Sequence, residues 1–176
     1  MSRPTQAIVY RVTQFFRALA ARVSEEEVEQ ATRLLTPEAR ALFRRQVVQD
    51  QRHALAVYRT LQQAGHTDPR LLAAALLHDV GKAAGRLPSC YRAAIVLMGR
   101  FAPGLLVRLS QGGSNPLNRP FIVYARHSEQ GARWAQEAGC SPLTVALIRR
   151  HEERPTHDQS EEDRFLAILQ AADSAN

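Results

Sequence analysis

Leu71 to Lys82 reads LLAAALLHDVGK, an apolar run that ends in an adjacent histidine and aspartate and then turns at Gly81. Neighbouring residues on a helix point about 100° apart, so His78 and Asp79 do not both serve as core packing. Past the end of a helix, both can lean toward one point. A neutral imidazole nitrogen and a carboxylate oxygen are ordinary ligands for a divalent metal. The pair is a weak signal by itself. Its weight depends on what the rest of the chain brings to it.

The chain has six histidines: His53, His66, His78, His127, His151 and His157. His53 falls one helix before the run that ends in His78-Asp79, and the short turn GHTDP makes the two helices antiparallel neighbours. The spacing predicts that His127 opens a helix, that His151 closes the next, and that Asp173 sits near the end of the last. Imidazoles at helix ends or on facing helices can converge inside a bundle. Each of these histidines, taken singly, reads as a buried core residue. His66, after Gly65, and His157, in a polar connection, read as exposed loop residues.

The elements that must position these groups are legible from their punctuation. Ile8, Val12, Phe15 and Leu19 recur at helical spacing among Arg11, Arg17 and Arg22, which predicts an amphipathic helix packed on the body of the domain, the alternative being one that touches a membrane or a second subunit. Ser24 with Glu27 reads as a capping box. Thr36-Pro37 reads as N-cap and first residue of a helix running to Ala64 and stopping at Gly65. Asp68-Pro69 starts the helix that reaches His78 by the same logic. Residues 83–120 loosen into short helices and an irregular loop, SQGGSNPLNRP. A helix from about Ser128 to Ala138 stops at Gly139. Ser141-Pro142 caps the next, and Ser160 with Asp163 begins a last helix that extends to about Asp173. No segment alternates as a strand should. The fold class is all-α, a single domain of roughly seven to nine helices.

A chain of 176 residues can bury a core without disulfides or structural zinc. Cys90 and Cys140 form no C-x-x-C pattern, which argues against a disulfide scaffold and thiolate zinc and fits a reducing cytoplasm. The formal net charge is +6, and Lys82 is the only lysine among the basic residues. That balance suits anionic partners such as nucleotides and equally suits a solvated surface. With no recognisable nucleic-acid motif, no stable nucleic-acid partner is expected. No apolar run is long enough to span a bilayer, since Ala93 to Leu109 is broken by Gly99, Arg100, Pro103, Gly104 and Arg108.

The segments QRHALAVYRTLQQAG, LLAAALLHDVGKAAG, ARHSEQGARWAQEAG, LIRRHEE and LQAADS occur in that order from Gln51 to Ser174. Together they resemble the HD-domain superfamily of metal-dependent phosphohydrolases, with the order H…HD…H…H…D. The resemblance implies a helical bundle over residues 36–176, with residues 1–35 as an N-terminal amphipathic segment packed on it. It implies that His53, His78, Asp79 and Asp173 hold one metal, and that Asp79 bridges to a second held by His127 and His151. Donors of this kind suit one or two ions of Fe, Mn, Co, Ni or Zn. The implied activity is hydrolysis of a phosphate ester or nucleotide by a metal-activated water: a phosphomonoester, a phosphodiester or a dinucleoside polyphosphate. Asp79 and Lys82 are the catalytic candidates, Lys82 through contact with a substrate phosphate. A cation at a helix C-terminus is the plainer account of Lys82. The GYP motif of the cyclic-dinucleotide branch is absent, since EERPTHDQSEED follows His151.

Substrate choice is expected from residues 83–126, whose Tyr91, Arg92, Ile95, Leu97, Met98, Arg100, Phe101 and Arg108 could wall or cover the pocket. Ordinary helical packing accounts for them as well. Arg126, Arg149, Arg150, Glu152 and Glu153 read as surface residues, and Trp134 as core. A homodimer is compatible with all of this. The alternative function, in a different class, is a metal-bearing module that senses a nucleotide or binds a partner without turnover.

Overall fold

The computed structural model describes residues 23–85, 89–112, 115, 117–153 and 160–176. The helix expected over Ile8 to Leu19, and His157, lie outside these residues. Among the described residues there are nine α-helices, one 3-10 helix and no strand, so the fold is an all-α single domain. The α-helices are α1 Glu25–Thr32, α2 Pro37–Arg45, α3 Val48–Gln63, α4 Pro69–Leu77, α5 Ser89–Phe101, α6 Pro103–Gln111, α7 Arg119–Glu137, α8 Pro142–Arg150 and α9 Glu161–Ser174; the 3-10 turn is Val80–Ala84.

The centre of the bundle is α4. Every residue from Leu71 to Leu77 is buried, which is why PRLLAAALL is apolar all round rather than along one stripe. Helices α2, α3, α8 and α9 pack around it, and α7 packs on α8 and on the 3-10 turn. Each fully buried leucine of α4 contributes about 2 kcal/mol of apolar transfer energy. Helix α1 joins the same core through Val28 and Ala31, followed by Leu35.

Most helix starts lie where short-range capping places them. Thr36 accepts from the Ala39 N–H at 3.1 Å, Asp68 from Arg70 at 2.8 Å, Ser141 from Thr144 at 3.1 Å and Ser160 from Asp163 at 3.1 Å. Gly65 and Gly139 take φ of 85° and 75° just past α3 and α7, where only glycine sits without strain. Ser24 is the N-cap of α1, yet its hydroxyl makes no capping bond. Glu27 pairs instead with Arg59 of α3 at 2.8 Å, so the expected capping box is replaced by a bridge between helices.

Two helix boundaries differ from expectation. The helix predicted from Thr36 to Ala64 is broken at Gln46 and Val47, both extended. The buried Gln46 amide donates to the Leu76 carbonyl at 3.1 Å, near the end of α4, and the break permits that reach. Helix α7 begins at Arg119 rather than Ser128, so His127 lies within it and does not open it. Pro120 sits in the first turn, where its missing N–H costs nothing.

Helix α7 lies against the 3-10 turn with almost no space between backbones. A Cβ at Gly81 would stand 1.9 Å from the His127 carbonyl oxygen and 2.8 Å from the Gly131 nitrogen. Opposite it, a Cβ at Gly131 would stand 3.2 Å from the Gly81 nitrogen. The two glycines therefore set how near His127 comes to His78 and Asp79. Gly81→Ala should cost about 1–3 kcal/mol of stability by overpacking, because the obstruction is backbone and not a mobile side chain. Urea unfolding measures this; an unchanged midpoint would show that α7 moves aside freely.

Candidate metal centre

Three imidazoles are held in the same way. His78 Nδ1 lies 2.9 Å from the Ala75 carbonyl oxygen, and His151 Nδ1 lies 2.7 Å from that of Ile148. His127 Nδ1 meets the Tyr124 carbonyl oxygen, again three residues back. A carbonyl oxygen only accepts, so each Nδ1 carries a proton and, in the neutral ring, each Nε2 presents a lone pair. His78 and His151 follow the last residues of α4 and α8, which lets both rings fold back over a final turn.

Those lone pairs converge. The Nε2 atoms of His127 and His151 are 3.2 Å apart, and they lie 3.4 and 3.6 Å from Asp79 Oδ1. His78 Nε2 lies 3.5 Å from Asp79 Oδ2 and 3.6 Å from Asp173 Oδ1. It is buried and has no hydrogen-bond partner among the described residues. Acceptors facing one another in a dry pocket are costly, and a cation among them removes the cost. Two groups of donors result: His53, His78 and Asp173, and Asp79, His127 and His151, with the donor atoms of each group within 4.8 Å of one another. Asp79 turns one oxygen toward each group.

The site is closed on one side and open on the other. His78, Asp79, His127 and His151 are buried, whereas the side chains of His53, Asp173 and Lys82 are 29%, 35% and 21% exposed. His53 differs from the other imidazoles. Its Nε2 lies 2.7 Å from Asp173 Oδ1, so that nitrogen donates to the carboxylate, and a metal would have to replace this proton. Lys82 Nζ lies 2.5 Å from Asp79 Oδ2, at the open side.

The electrostatics follow from this arrangement. Burial alone would raise the Asp79 carboxyl, but His78, His127, His151 and Lys82 outweigh it and hold it well below the usual range. Burial also opposes the charge on Asp173, and the hydrogen bond with His53 overcomes it and lowers the carboxyl. The bond to Asp173 raises the His53 imidazole, while burial lowers that of His78. For His151, burial favours the neutral ring, but Asp79 outweighs it and raises the imidazole.

Other residues hold this group in place, and several were not legible as such in the sequence. Gln170 of α9 donates to the His151 carbonyl at 2.9 Å and to the Glu153 carbonyl at 2.6 Å, tying off the end of α8. Tyr124 stacks on His127 with ring centroids 5.6 Å apart. Glu152, read as solvated charge, has its carboxylate 3.8 Å from His127 Nδ1. Arg150 is not simply a surface residue: it pins α8 to α9 through Asp163 at 2.7 Å and also meets Glu162. Arg149 and Arg126 are exposed, and Trp134 is half-buried beneath the Arg45 guanidinium. His66 lies in the turn after α3, outside the cluster. The only sequence signal for these supports was position, as in Tyr124, three residues before His127.

Comparison of the chain with protein-family models, with curated proteins and with solved structures finds no match.

Protons and metal ions compete for the same Nε2 lone pairs. His53 and His151 bind protons more tightly than an ordinary histidine, so they remain protonated above pH ~6.5. Apparent affinity for a divalent metal should therefore weaken as pH falls from about 8 to about 6, with protons released on binding. Calorimetry in buffers of different ionisation enthalpy reads that release; binding with no proton release would mean the imidazoles are not the ligands. In the absence of metal, protonated His53 and His151 stabilise the fold below pH ~6.5, and this contribution is lost as pH rises through their elevated values. His78, lowered by burial, acts in the opposite sense.

Proposed function

We propose that this chain is a metal-dependent phosphohydrolase of the HD-domain type, acting on a phosphate ester or nucleotide. The observation that carries the reading is Asp79, whose Oδ2 faces His78 and whose Oδ1 faces His127 and His151 across a buried pocket. A lone core histidine would be satisfied by one carbonyl. Three histidines that each satisfy Nδ1 and leave Nε2 turned to one carboxylate are arranged as a ligand set.

In this reading His53, His78, Asp79 and Asp173 hold one divalent ion, and Asp79, His127 and His151 a second, drawn from Fe, Mn, Co, Ni or Zn. Bound ions of this kind supply an acidified water and neutralise phosphate oxygens. The chain's own groups do the rest. The backbone carbonyls of Ala75, Tyr124 and Ile148 orient the imidazoles and keep their tautomers. The part-exposed edge formed by His53, Asp173 and Lys82 is where substrate enters. Lys82, already beside Asp79, offers a compact positive charge to a phosphate oxygen. Phosphomonoesters, phosphodiesters and dinucleoside polyphosphates all present the group this site would grip. The cytoplasm, where Cys140 would stay a free thiol, is the compartment proposed.

Elemental analysis of the purified protein, followed by a panel of phosphomonoesters, phosphodiesters and nucleotides, tests the reading. Two metal ions per chain and hydrolysis of at least one class are expected. Bound metal with no turnover across the panel would point to a sensing or partner-binding module. Asp79→Ala should lose metal at both positions and reduce turnover by at least about a thousandfold, the scale of removing a group central to transition-state charge. His127→Ala should retain the first ion and lose the second, and retention of both would refute the division of ligands. Lys82→Ala should keep its metal content and raise KM, while metal loss would assign Lys82 to the support of Asp79.

A further inference from the structure

The charge of the chain is distributed very unevenly. Residues 80–128 contain seven basic side chains and no aspartate or glutamate, and residues 1–22 contain four basic and no acidic. All seventeen acidic residues fall elsewhere, beside twelve basic ones. The described structure places the acid-free stretch in the 3-10 turn, the α5–α6 hairpin and the first half of α7. Arg108, Arg119 and Arg126 are exposed there, and none has a carboxylate partner among the described residues.

The same stretch exposes large apolar side chains. Leu97 is 57% exposed, Phe101 76%, Leu105 50% and Leu117 65%, with Val107 close behind. Leu97 and Phe101 are one turn apart on α5, and Leu105 and Arg108 are one turn apart on α6, so apolar and basic groups share helix faces. No helical residue of α6 is buried; the hairpin is held by the packing of α6 on α7, by the buried Ile95 of α5 and by Tyr91, which packs on Phe121. Among the described residues, this stretch joins exposed aliphatic side chains to three arginines, Arg108, Arg119 and Arg126, that face no carboxylate.

We infer that the α5–α6 hairpin and the start of α7 form a docking surface for an anionic phospholipid bilayer. Aliphatic side chains flanked by arginine are the chemistry of a helix lying in the interface, the leucines entering the acyl boundary and the guanidinium groups meeting phosphate. At 13 and 9 residues, α5 and α6 are too short to span a bilayer and can only lie on it. The alternatives fit the charge or the apolar surface less well. A second copy would set one basic, acid-free stretch of chain against another, and so would residues 1–22. A single-stranded nucleic acid would meet the charge, but among the described residues Phe101 is the only aromatic in the set of large exposed apolar side chains, and base stacking needs more than one such platform. The inference is independent of the chemistry at the metal centre.

Flotation of the full chain with vesicles tests it. The protein should float with vesicles of phosphatidylcholine mixed with phosphatidylglycerol, and remain in the dense fraction with phosphatidylcholine alone. Arg108→Gln and Arg119→Gln should each weaken partitioning about fivefold, with added salt having the same direction of effect. Leu97→Ser combined with Leu105→Ser should weaken it at least about tenfold, because two aliphatic side chains no longer enter the interface. These side chains are half or more exposed, so the helical circular dichroism should be unchanged. As a measurement that needs no variant, hydrogen exchange of residues 97–107 should slow when the mixed vesicles are added. Absence of binding to the mixed vesicles overturns the inference. So does equal binding to both lipids, or binding that both sets of variants leave intact, which would move the contact to residues 1–22. A dimer that the leucine variants dissociate, with vesicles ignored, would make the face an interface between copies instead.

Discussion

The candidate centre depends on where three protons are held. His78, His127 and His151 each commit Nδ1–H to a carbonyl three residues back on their own helix. Once those protons are placed, the opposite nitrogens have only acceptors to face. The 3.2 Å approach of His127 to His151, and the unpartnered His78 Nε2, are consequences of that single pattern. A buried cluster of this kind is stable only with positive charge within it, whether as protons or as a metal. The raised imidazoles of His53 and His151 and the lowered carboxyls of Asp79 and Asp173 are two expressions of the same demand.

Local hydrogen bonds aim the rings, but helix packing brings them together. His78 and His151 arrive at the ends of α4 and α8, while His127 arrives from the middle of α7. That third approach requires the α7 backbone to press against the turn after Asp79, and Gly81 and Gly131 leave room for it. The glycine after His-Asp-Val thus has a steric role at long range, beyond any local turn. Gln46 and Gln170 do the corresponding work at the ends of α4 and α8, donating to the carbonyls of Leu76 and His151. The ends of these two helices are therefore held by side chains from elsewhere in the chain.

The two halves of the histidine set are separated in sequence by a stretch with seven basic residues, no acidic one and several exposed apolar side chains. Among the described residues, Ile95 is the buried side chain that α5 and α6 contribute, and neither group of metal donors draws on these helices. Such a segment can vary without disturbing the bundle, because α4 and its neighbours carry the core. A rigid site with an appended, chemically distinct surface is a common division of labour in helical domains.

The amino-acid sequence by itself determined the helical class, most helix starts and the residues capable of chemistry. Caps such as Thr36-Pro37, Asp68-Pro69 and Ser141-Pro142 act over three or four residues, so they are readable without knowing the fold. The apolar run before His78 likewise read as a helix, although its burial on every side is seen only in the fold. Tertiary structure decided the rest. It broke the helix at Gln46, because the side chain there reaches a carbonyl thirty residues onward. It extended α7 back to Arg119, where Pro120 in a first turn had looked like the end of a loop. It also decided that Asp79 faces two groups at once, and that Glu27 and Arg150 serve as ties between helices. The difference is one of range: capping and periodicity are encoded by near neighbours, whereas the direction of a carboxylate and the closeness of two backbones depend on partners set far apart along the chain.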